Sequence, residues 1–224
     1  MRESRSIRYA YFGLFQRREV WTLTWRARLL LLTIVVLAAT LLIRGSHHFL
    51  AVDAPVNTGI LVVEGWVPEY ALTSYVARAS YDLIYTIGGV TVQDRYSRDP
   101  SDTQASVAYN RLRKAGVPAD KLRMVPSWVS RRDRTYGAAV ALRDWCRTNN
   151  VELTAFDVVT LGPHARRSRL LQQKAFGRDA KIGVISLVNE DYDPDHWWRY
   201  SEGVKEVLSE GAAYLYVRFL FSPD

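Results

Sequence analysis

One histidine and three arginines follow an apolar segment within a few residues, and these side chains can bind an anion or move a proton. The segment FDVVTL (156–161) is predicted to be a buried strand that ends at a Gly-Pro turn. The stretch TLGPHARRSRLLQQKAFG then presents His164, Arg166, Arg167 and Arg169.

His164 and Arg167 are three residues apart at the start of a predicted helix, so both lie on one side of its first turn. That turn also offers unpaired backbone N–H groups and the positive end of the helix dipole, which favour an anion such as phosphate. We predict His164 as an acid–base group and Arg167 as the phosphate clamp, the two candidate catalytic residues. Arg166 and Arg169 are predicted to lie on a solvated face. The alternative for the whole cluster is a capping histidine with surface arginines.

Five apolar segments alternate with helical patterns after residue 58. Each segment is continuously apolar, as in parallel strands that are buried on both faces. The predicted strands are 59–67, 82–89, 121–127, 156–161 and 181–188. Helices are predicted from near Pro68, over 102–115 and 134–148, after residue 161, and from Pro194. The fold class is therefore α/β, a Rossmann-like three-layer domain with a mostly parallel sheet of about five strands.

Ligands of such sheets bind at the carboxyl ends of the strands, which makes the residues after each strand candidates for binding. Glu64 follows the first strand and could be a general base, a metal ligand or a cap of the next helix. The glycine pair after the second strand would let backbone approach a ligand, although a plain turn would also use it. These predicted ligand-binding residues are Glu64, Gly65, Trp66, Gly88, Gly89 and Gly162.

The N-terminal part of the chain differs from the rest in charge and hydropathy. Residues 1–44 hold eight arginines and two glutamates, a net charge of +6, whereas the rest of the 224-residue chain carries +1. Residues 29–43 are uncharged and apolar, and extension back to Trp25, with Arg26 and Arg28 snorkelling, gives the length of a membrane span. The arginine-rich leader predicts a cytoplasmic N-terminus by the positive-inside rule.

We therefore expect a cytoplasmic leader (1–24), a transmembrane anchor (25–44), a tether (45–57) and an exported domain (58–224) at a bacterial cytoplasmic membrane. A cleaved signal peptide is the alternative, but the leader is long, Arg44 follows the apolar run at once and no A-x-A site lies within the next 15 residues. A nucleic-acid partner is not expected, because the exported part is nearly neutral.

Several other kinds of site are not supported by the sequence. It lacks G-x-G-x-x-G after the first strand, G-x-x-x-x-G-K-[ST] and G-x-S-x-G, and it requires no cofactor. A calcium loop over residues 191–202 has His196 where glycine is needed, so no metal is expected, and Asp193-Pro194 is predicted to begin the last helix. Cys146 is predicted to be a buried thiol. The run AAYLYVRFLF (212–221) is predicted to cover the sheet, with contact to a membrane interface as the alternative.

The order of these motifs resembles the bacterial YdcF/SanA/ElyC family, whose Rossmann-like domain has no assigned function. The resemblance covers roughly residues 58–188, and the SEGVKEVLSE helix resembles an extension found in one branch. Its most specific part is the His164-x-x-Arg167 pair. Supporting motifs are strand-EGW, IGG, a helix ending in GVP, Arg134-Thr135-Tyr136, and the helix that runs to AFG.

The resemblance adds Gln104 and Thr135 as candidate ligand-binding residues. The chain departs from the family pattern in having Glu64-Gly65-Trp66 for Gly-Gly, Gln104 for an acidic residue and Ala138 for Asn. Anchored members are associated with envelope integrity, peptidoglycan assembly and lipid-carrier metabolism. The resemblance therefore implies binding of, or action on, a phosphate-bearing small molecule or lipid carrier, with envelope-assembly proteins as possible partners. A non-catalytic scaffold or regulator is the alternative, which the departures favour.

Overall fold

The computed structural model of the chain describes residues 9–10, 15–16, 22–91, 96–129 and 132–222. The chain divides into two compact units, Met1–Leu42 and Ile43–Asp224. Most of the predicted leader (1–24) lies outside the described residues. Its described part includes a short antiparallel pair of strands, Tyr9–Ala10 and Phe15–Gln16.

Helix α1 (Trp25–Leu50) is long and apolar enough to cross a membrane. Its most apolar 18-residue window has a mean hydropathy of 2.2, and the side chains of that window are not buried by other parts of the chain. The predicted anchor ended at residue 44, but the helix continues to Leu50. The first part of the predicted tether (45–57) is therefore helical, and within it His47 and Leu50 are buried.

The second part of the predicted tether is bound to the sheet of the α/β unit. Ala54 forms an antiparallel bridge with Val184. The backbone N–H groups of Val56 and Asn57 donate to the two carboxylate oxygens of Asp157, at 2.6 and 2.9 Å. Asp157 is completely buried. Residues 54–57 are therefore fixed to the sheet by backbone hydrogen bonds, although residues 55–57 are exposed.

Replacing Asp157 with Asn is expected to lower the free energy of unfolding by about 1–3 kcal/mol, because an amide presents one acceptor where two N–H groups need acceptors. Urea unfolding of the full chain in detergent measures this loss, and hydrogen exchange should rise at Val56 and Asn57. The control is Asp179→Asn, since Asp179 is exposed in a turn. Equal stability of the two variants would contradict the role given to Asp157.

Five parallel strands form the sheet of the α/β unit, in the order β3-β2-β1-β4-β5. The strands are β1 (Ile60–Glu64), β2 (Leu83–Gly88), β3 (Leu122–Pro126), β4 (Ala155–Leu161) and β5 (Lys181–Leu187). The helices are α2 (Glu69–Val76), α3 (Gln104–Lys114), α4 (Arg134–Thr148), α5 (His164–Phe176) and α6 (Ser201–Phe219). The predicted α/β fold class is confirmed.

Two apolar cores lie on opposite faces of the sheet because the strands are apolar on both sides. Residues of α2 and α3, such as Leu72 and Leu112, share one core with Leu61. Residues of α4 and α5, such as Leu142 and Phe176, pack with Val62 in the other. Cys146 is buried in this second core, as predicted. The result is the three-layer arrangement predicted from the continuous apolar segments.

The last helix begins later than predicted. Asp193 accepts a hydrogen bond from the N–H of Asp195 and Pro194 occupies the first turn, as expected of a helix start. The turn that they open is a 3₁₀ segment, Pro194–Arg199, because His196 has a non-helical backbone (φ −130°). α6 then starts afresh at Ser201. The predicted start at Pro194 is therefore wrong by seven residues.

Candidate functional site

The strand order changes direction between β1 and β4, and the predicted site residues gather at the carboxyl ends of these two strands. β2 and β3 lie on one side of β1, and β5 lies beyond β4. Such a switch point leaves a crevice at the carboxyl edge of the sheet. Glu64 ends β1, and Gly162 and His164 follow β4. The fold therefore brings together side chains that are a hundred residues apart.

Glu64 is held by hydrogen bonds from three different elements. Thr160 Oγ1 donates to its Oε2 and Ser168 Oγ to its Oε1, both at 2.6 Å. The indole Nε1 of Trp66 also donates to Oε2, at 3.1 Å. Burial alone would raise the pKa of Glu64, but the charge of His164 and these hydrogen bonds lower it. Glu64 is therefore a buried carboxylate, and it caps no helix, since α2 begins at Glu69 with Pro68 at the N-cap and no side-chain cap.

His164 lies between two carboxylates. Its Nε2 is 3.3 Å from Glu64 Oε2, without the alignment of a hydrogen bond, and its Nδ1 is 3.1 Å from Glu210 Oε1. The ring of Trp66 packs edge-on against the imidazole at 5.0 Å. Burial alone would lower the pKa of His164, but the charge of Glu64 and the contacts with Glu210 raise it to about 9. A pKa of about 9 favours the protonated ring at neutral pH, and the guanidinium of Arg167, whose Nη2 lies 2.9 Å from the same Nδ1, opposes it.

Arg167 forms a two-pronged ion pair with the same Glu210. Its Nε is 2.7 Å from Oε2 and its Nη2 is 3.0 Å from Oε1. Burial would raise the pKa of Glu210, but its hydrogen bonds with His164 and Arg167 lower it to about 2. Glu64, His164, Glu210 and Arg167 therefore alternate in charge and neutralise one another.

Sequence reasoning missed Glu210, which completes this row of charges. It lies on α6, four residues after Glu206, and Glu206 accepts a hydrogen bond from the Asn189 amide. Both carboxylates lie on the side of α6 that turns toward α5 and the end of β5. The available signal was a spacing of four between the acidic residues Glu202, Glu206 and Glu210 of α6. This spacing does not identify Arg167 as the partner of Glu210, because α5 and α6 are far apart in sequence.

A cavity of roughly 470 Å³ opens beside this row of charges. Seven of the predicted site residues line it: Glu64, Trp66, Gly88, Gly89, Gln104, Thr135 and Arg167. The other wall comes from α6, through Ala213, Tyr216 and Val217. His164, Gly65 and Gly162 are not part of the lining. The structure thus brings most of the predicted site residues to one cavity.

Gly65 and the Gly88-Gly89 pair are explained by packing against other parts of the chain. A Cβ on Gly65 would lie 2.0 Å from the carbonyl oxygen of Gln104. A Cβ on Gly88 would lie 2.6 Å from the Cβ of Gln104, and one on Gly89 would lie 2.5 Å from the oxygen of Val129. These glycines therefore let the start of α3 and the segment after β3 approach the sheet and shape the cavity.

Arg134, at the first position of α4, is a cavity residue that the sequence singled out only as part of a motif. Its Nη2 donates to the carbonyl oxygen of Val90 at 3.3 Å, and its buried Nε has no acceptor among the described residues. It forms no ion pair with a carboxylate in the described part of the chain. The preceding residue, Asp133, gives α4 no side-chain cap. A positive group and an uncapped helix start therefore face the same cavity as Thr135.

Arg166 and Arg169, which were predicted to lie on a solvated face of α5, are partly exposed but also bind backbone groups. Arg166 donates from Nε to the carbonyl oxygen of Phe49, and its guanidinium lies 3.9 Å from the centre of the Phe49 ring. Arg169 donates from Nε to the carbonyl oxygen of Ile182 at 2.8 Å. Both arginines are half-buried and hold the neighbouring backbone, one at the end of α1 and the other on β5. Arginine counts along a helix do not reveal such backbone acceptors.

The described residues contain no group of three or more His, Cys, Asp or Glu side chains arranged to hold a metal ion. Asp193 instead accepts from the N–H of Asp195 and contacts the His196 ring at 2.7 Å.

No protein-family model matches this chain, and comparisons with curated proteins and with solved structures also return no match.

Proposed function

We propose that this chain is a membrane-anchored, extracytoplasmic α/β protein that binds a phosphate-bearing metabolite of the bacterial cell envelope in the cavity at the carboxyl edge of its sheet. The bound compound has the chemistry of a polyprenyl-phosphate carrier or a nucleotide-like compound, and phosphate is the group that the cavity recognises.

Arg134 carries this proposal. Its guanidinium has no carboxylate partner within the described residues, and its buried Nε lacks an acceptor. A buried N–H donor without a partner costs about 1–3 kcal/mol, and a charged oxygen acceptor would remove that cost. The uncapped start of α4 adds backbone N–H groups and the positive end of a dipole at the same wall. Phosphate oxygens satisfy both kinds of donor.

The row of charges beside the cavity supports binding through Arg167. Glu210 holds the Arg167 guanidinium by two hydrogen bonds, and His164 holds Glu210. Arg167 lines the cavity, whereas His164 does not. We infer that His164 is a positioning residue that fixes Arg167 through Glu210.

The proposed location rests on the N-terminal part of the chain. α1 has the length and hydropathy of a membrane span, and eight arginines against two glutamates in residues 1–44 favour a cytoplasmic N-terminus. The envelope setting rests on the motif resemblance to the YdcF/SanA/ElyC family. An exported domain fixed to the membrane would meet lipid-linked phosphates at their headgroups.

Replacing Arg134 with Gln is expected to weaken phosphate-ester binding about 10–100-fold, since a hydrogen bond to a charged group contributes about 1.5–3 kcal/mol. The measurement is calorimetric titration of the full chain in detergent with farnesyl phosphate, with inorganic phosphate as a second probe and farnesol as the uncharged control. Release of inorganic phosphate in the same samples reports any hydrolysis.

The matched control is Arg147→Gln, because Arg147 lies on the same helix but is exposed. It should bind like the wild-type chain. Equal binding by the Arg134 and Arg147 variants, or binding of farnesol as tight as that of farnesyl phosphate, would exclude Arg134 as the phosphate ligand.

A non-catalytic scaffold or regulator is the second candidate function. One observation favours it: the four charged side chains Glu64, His164, Glu210 and Arg167 satisfy one another and leave His164 away from the cavity wall. Under this function neither phosphate probe binds, and the same titration therefore separates the two candidates.

A further inference from the structure

The outward side of α6 carries a stripe of apolar side chains that the α/β unit does not cover. The stripe consists of Leu208, Ala212, Leu215, Tyr216 and Phe219, with Leu220 at the end of the helix. Their spacing of four, three, one, three and one places them on one helical face. Phe219 is 75% exposed and Leu208 is 61% exposed. Contiguous exposed apolar surface of this kind is typical of contact with a partner or a membrane.

The opposite side of α6 is already occupied. Val207 and Val217 are buried there, and Glu210 makes its ion pair with Arg167 on that side. Residues 211–220 contain no acidic residue, while Lys205 and Arg218 are exposed on either side of the stripe. The free face is therefore apolar, aromatic at its end and bordered by positive charge.

The end of α1 packs directly against α6. The indole Nε1 of Trp197 donates to the carbonyl oxygen of Ile43 at 3.0 Å. Phe49 contacts Tyr214 of α6 edge-on at 5.7 Å, and Leu50 shares a buried cluster with Val207. Ile43 is the last residue of the apolar run, and a helix rises about 10 Å between Ile43 and Leu50. The last two turns of α1, from Ile43 to Leu50, therefore contact α6 and the 3₁₀ segment before it.

We propose that the apolar stripe of α6 lies in the interface of a lipid bilayer. An amphipathic helix binds a bilayer by placing its apolar face about 5–10 Å into the headgroup region, with aromatic rings at the boundary and Lys or Arg beside the lipid phosphates. The stripe offers Tyr216 and Phe219 as the rings and Arg218 as the basic residue. The short connection through α1 keeps this face close to the lipid.

The bilayer contact bears on the cavity through Tyr216, which belongs to the stripe and also lines the cavity. Ala213 and Val217, its neighbours on α6, line the same wall. If the cavity binds phosphate as proposed above, its opening then faces lipid headgroups rather than bulk water. The contact of the stripe with lipid does not depend on that ligand.

The test uses the full chain in vesicles of phosphatidylcholine and phosphatidylglycerol that contain a nitroxide-labelled lipid. Single cysteines are introduced by Leu215→Cys or Phe219→Cys and labelled with a fluorescent maleimide. Burial raises the pKa of Cys146 to about 11, so the native thiol can stay in place and the unsubstituted chain reports its background labelling. The matched control is Lys114→Cys, at an exposed position of α3 on the other side of the sheet.

The nitroxide lipid is expected to quench the labels at 215 and 219 several-fold more than the label at 114. Adding Phe219→Glu to the Leu215→Cys chain should reduce that quenching without moving the thermal unfolding midpoint, since Phe219 is exposed. Equal quenching at all three positions would overturn the proposal. Energy transfer between copies labelled at 215, with no lipid quenching, would also overturn it and assign the face to a second copy of the chain.

Discussion

Replacing Glu64 with Gln is expected to lower the free energy of unfolding of the chain by about 3–5 kcal/mol, the range for removing one partner from a buried ion pair. The carboxylate is surrounded by donors: Thr160, Ser168 and Trp66 donate to it, and His164 faces it at 3.3 Å. A glutamine keeps the size of the side chain but has one acceptor oxygen, and its amide N–H₂ would point at another donor. The protonated His164 would also lose one of its two countercharges.

Urea unfolding of the full chain in detergent at pH 7 measures the effect. The matched control is Glu152→Gln, whose side chain is exposed before β4 and should change the free energy of unfolding by less than about 0.5 kcal/mol. A second readout is the pKa of His164. It should fall in the Glu64 variant because the negative charge of Glu64, the largest contribution that raises this pKa, is removed. An unchanged His164 pKa together with an unchanged stability would mean that Glu64 is not the partner described here.

The elements of the fold could be predicted because each is encoded locally. Continuous apolar segments gave five strands, and their spacing gave parallel connections. The predictions of the last helix and of the tether were wrong where the outcome depended on residues outside the local pattern. Asp193 and Pro194 do begin a turn, yet His196 stops it and α6 starts at Ser201. Residues 45–57 were predicted to be a tether, whereas Asp157, a hundred residues later, binds the N–H groups of Val56 and Asn57.

The position of the candidate site could be predicted from the sequence, but the ion pairs and hydrogen bonds between its side chains could not. Residues after strands β1, β2 and β4 were expected to meet, and Glu64, Gly88, Gly89 and Arg167 do meet around one cavity and its edge. The pairing of Arg167 with Glu210 needs the packing of α6 on α5, which no local pattern encodes. Packing also explains why Gly65 is glycine, since the carbonyl oxygen of Gln104 occupies the place of a side chain.

The observed ion pairs give His164 and Arg167 different roles. In the sequence the two residues look like equal partners around an anion. In the fold, His164 is enclosed by Glu64 and Glu210, while Arg167 lines the cavity. Two negative and two positive groups in a partly buried row need each other's charge, so each substitution within the row should act through stability as well as through any ligand. Arg134 is outside that row, so its substitution leaves these four charges in place.

The stability of the chain is expected to fall by about 3 kcal/mol as the pH rises from 6.5 to 9, and His164 should cause most of that loss. The pKa of His164 is raised to about 9 in the folded chain from 6.5. A raised pKa contributes stability that is complete below pH 6.5 and is lost as the pH rises through 9; about 2.5 pH units correspond to about 3 kcal/mol. Glu210 acts in the opposite direction, since its pKa of about 2 gives stability that is lost only as the pH falls below 4.5.

His164→Gln separates this contribution from all others between pH 6.5 and 9. The variant should be less stable than the wild-type chain at pH 6.5, and the difference should shrink steadily toward pH 9, where the wild-type histidine has lost its proton. Urea unfolding at four or more pH values measures both curves. His48→Gln is the control, because His48 pairs with Asp195 at an exposed site and such pairs contribute little. Parallel curves for the wild-type and His164 chains would show that His164 is not protonated between its two carboxylates.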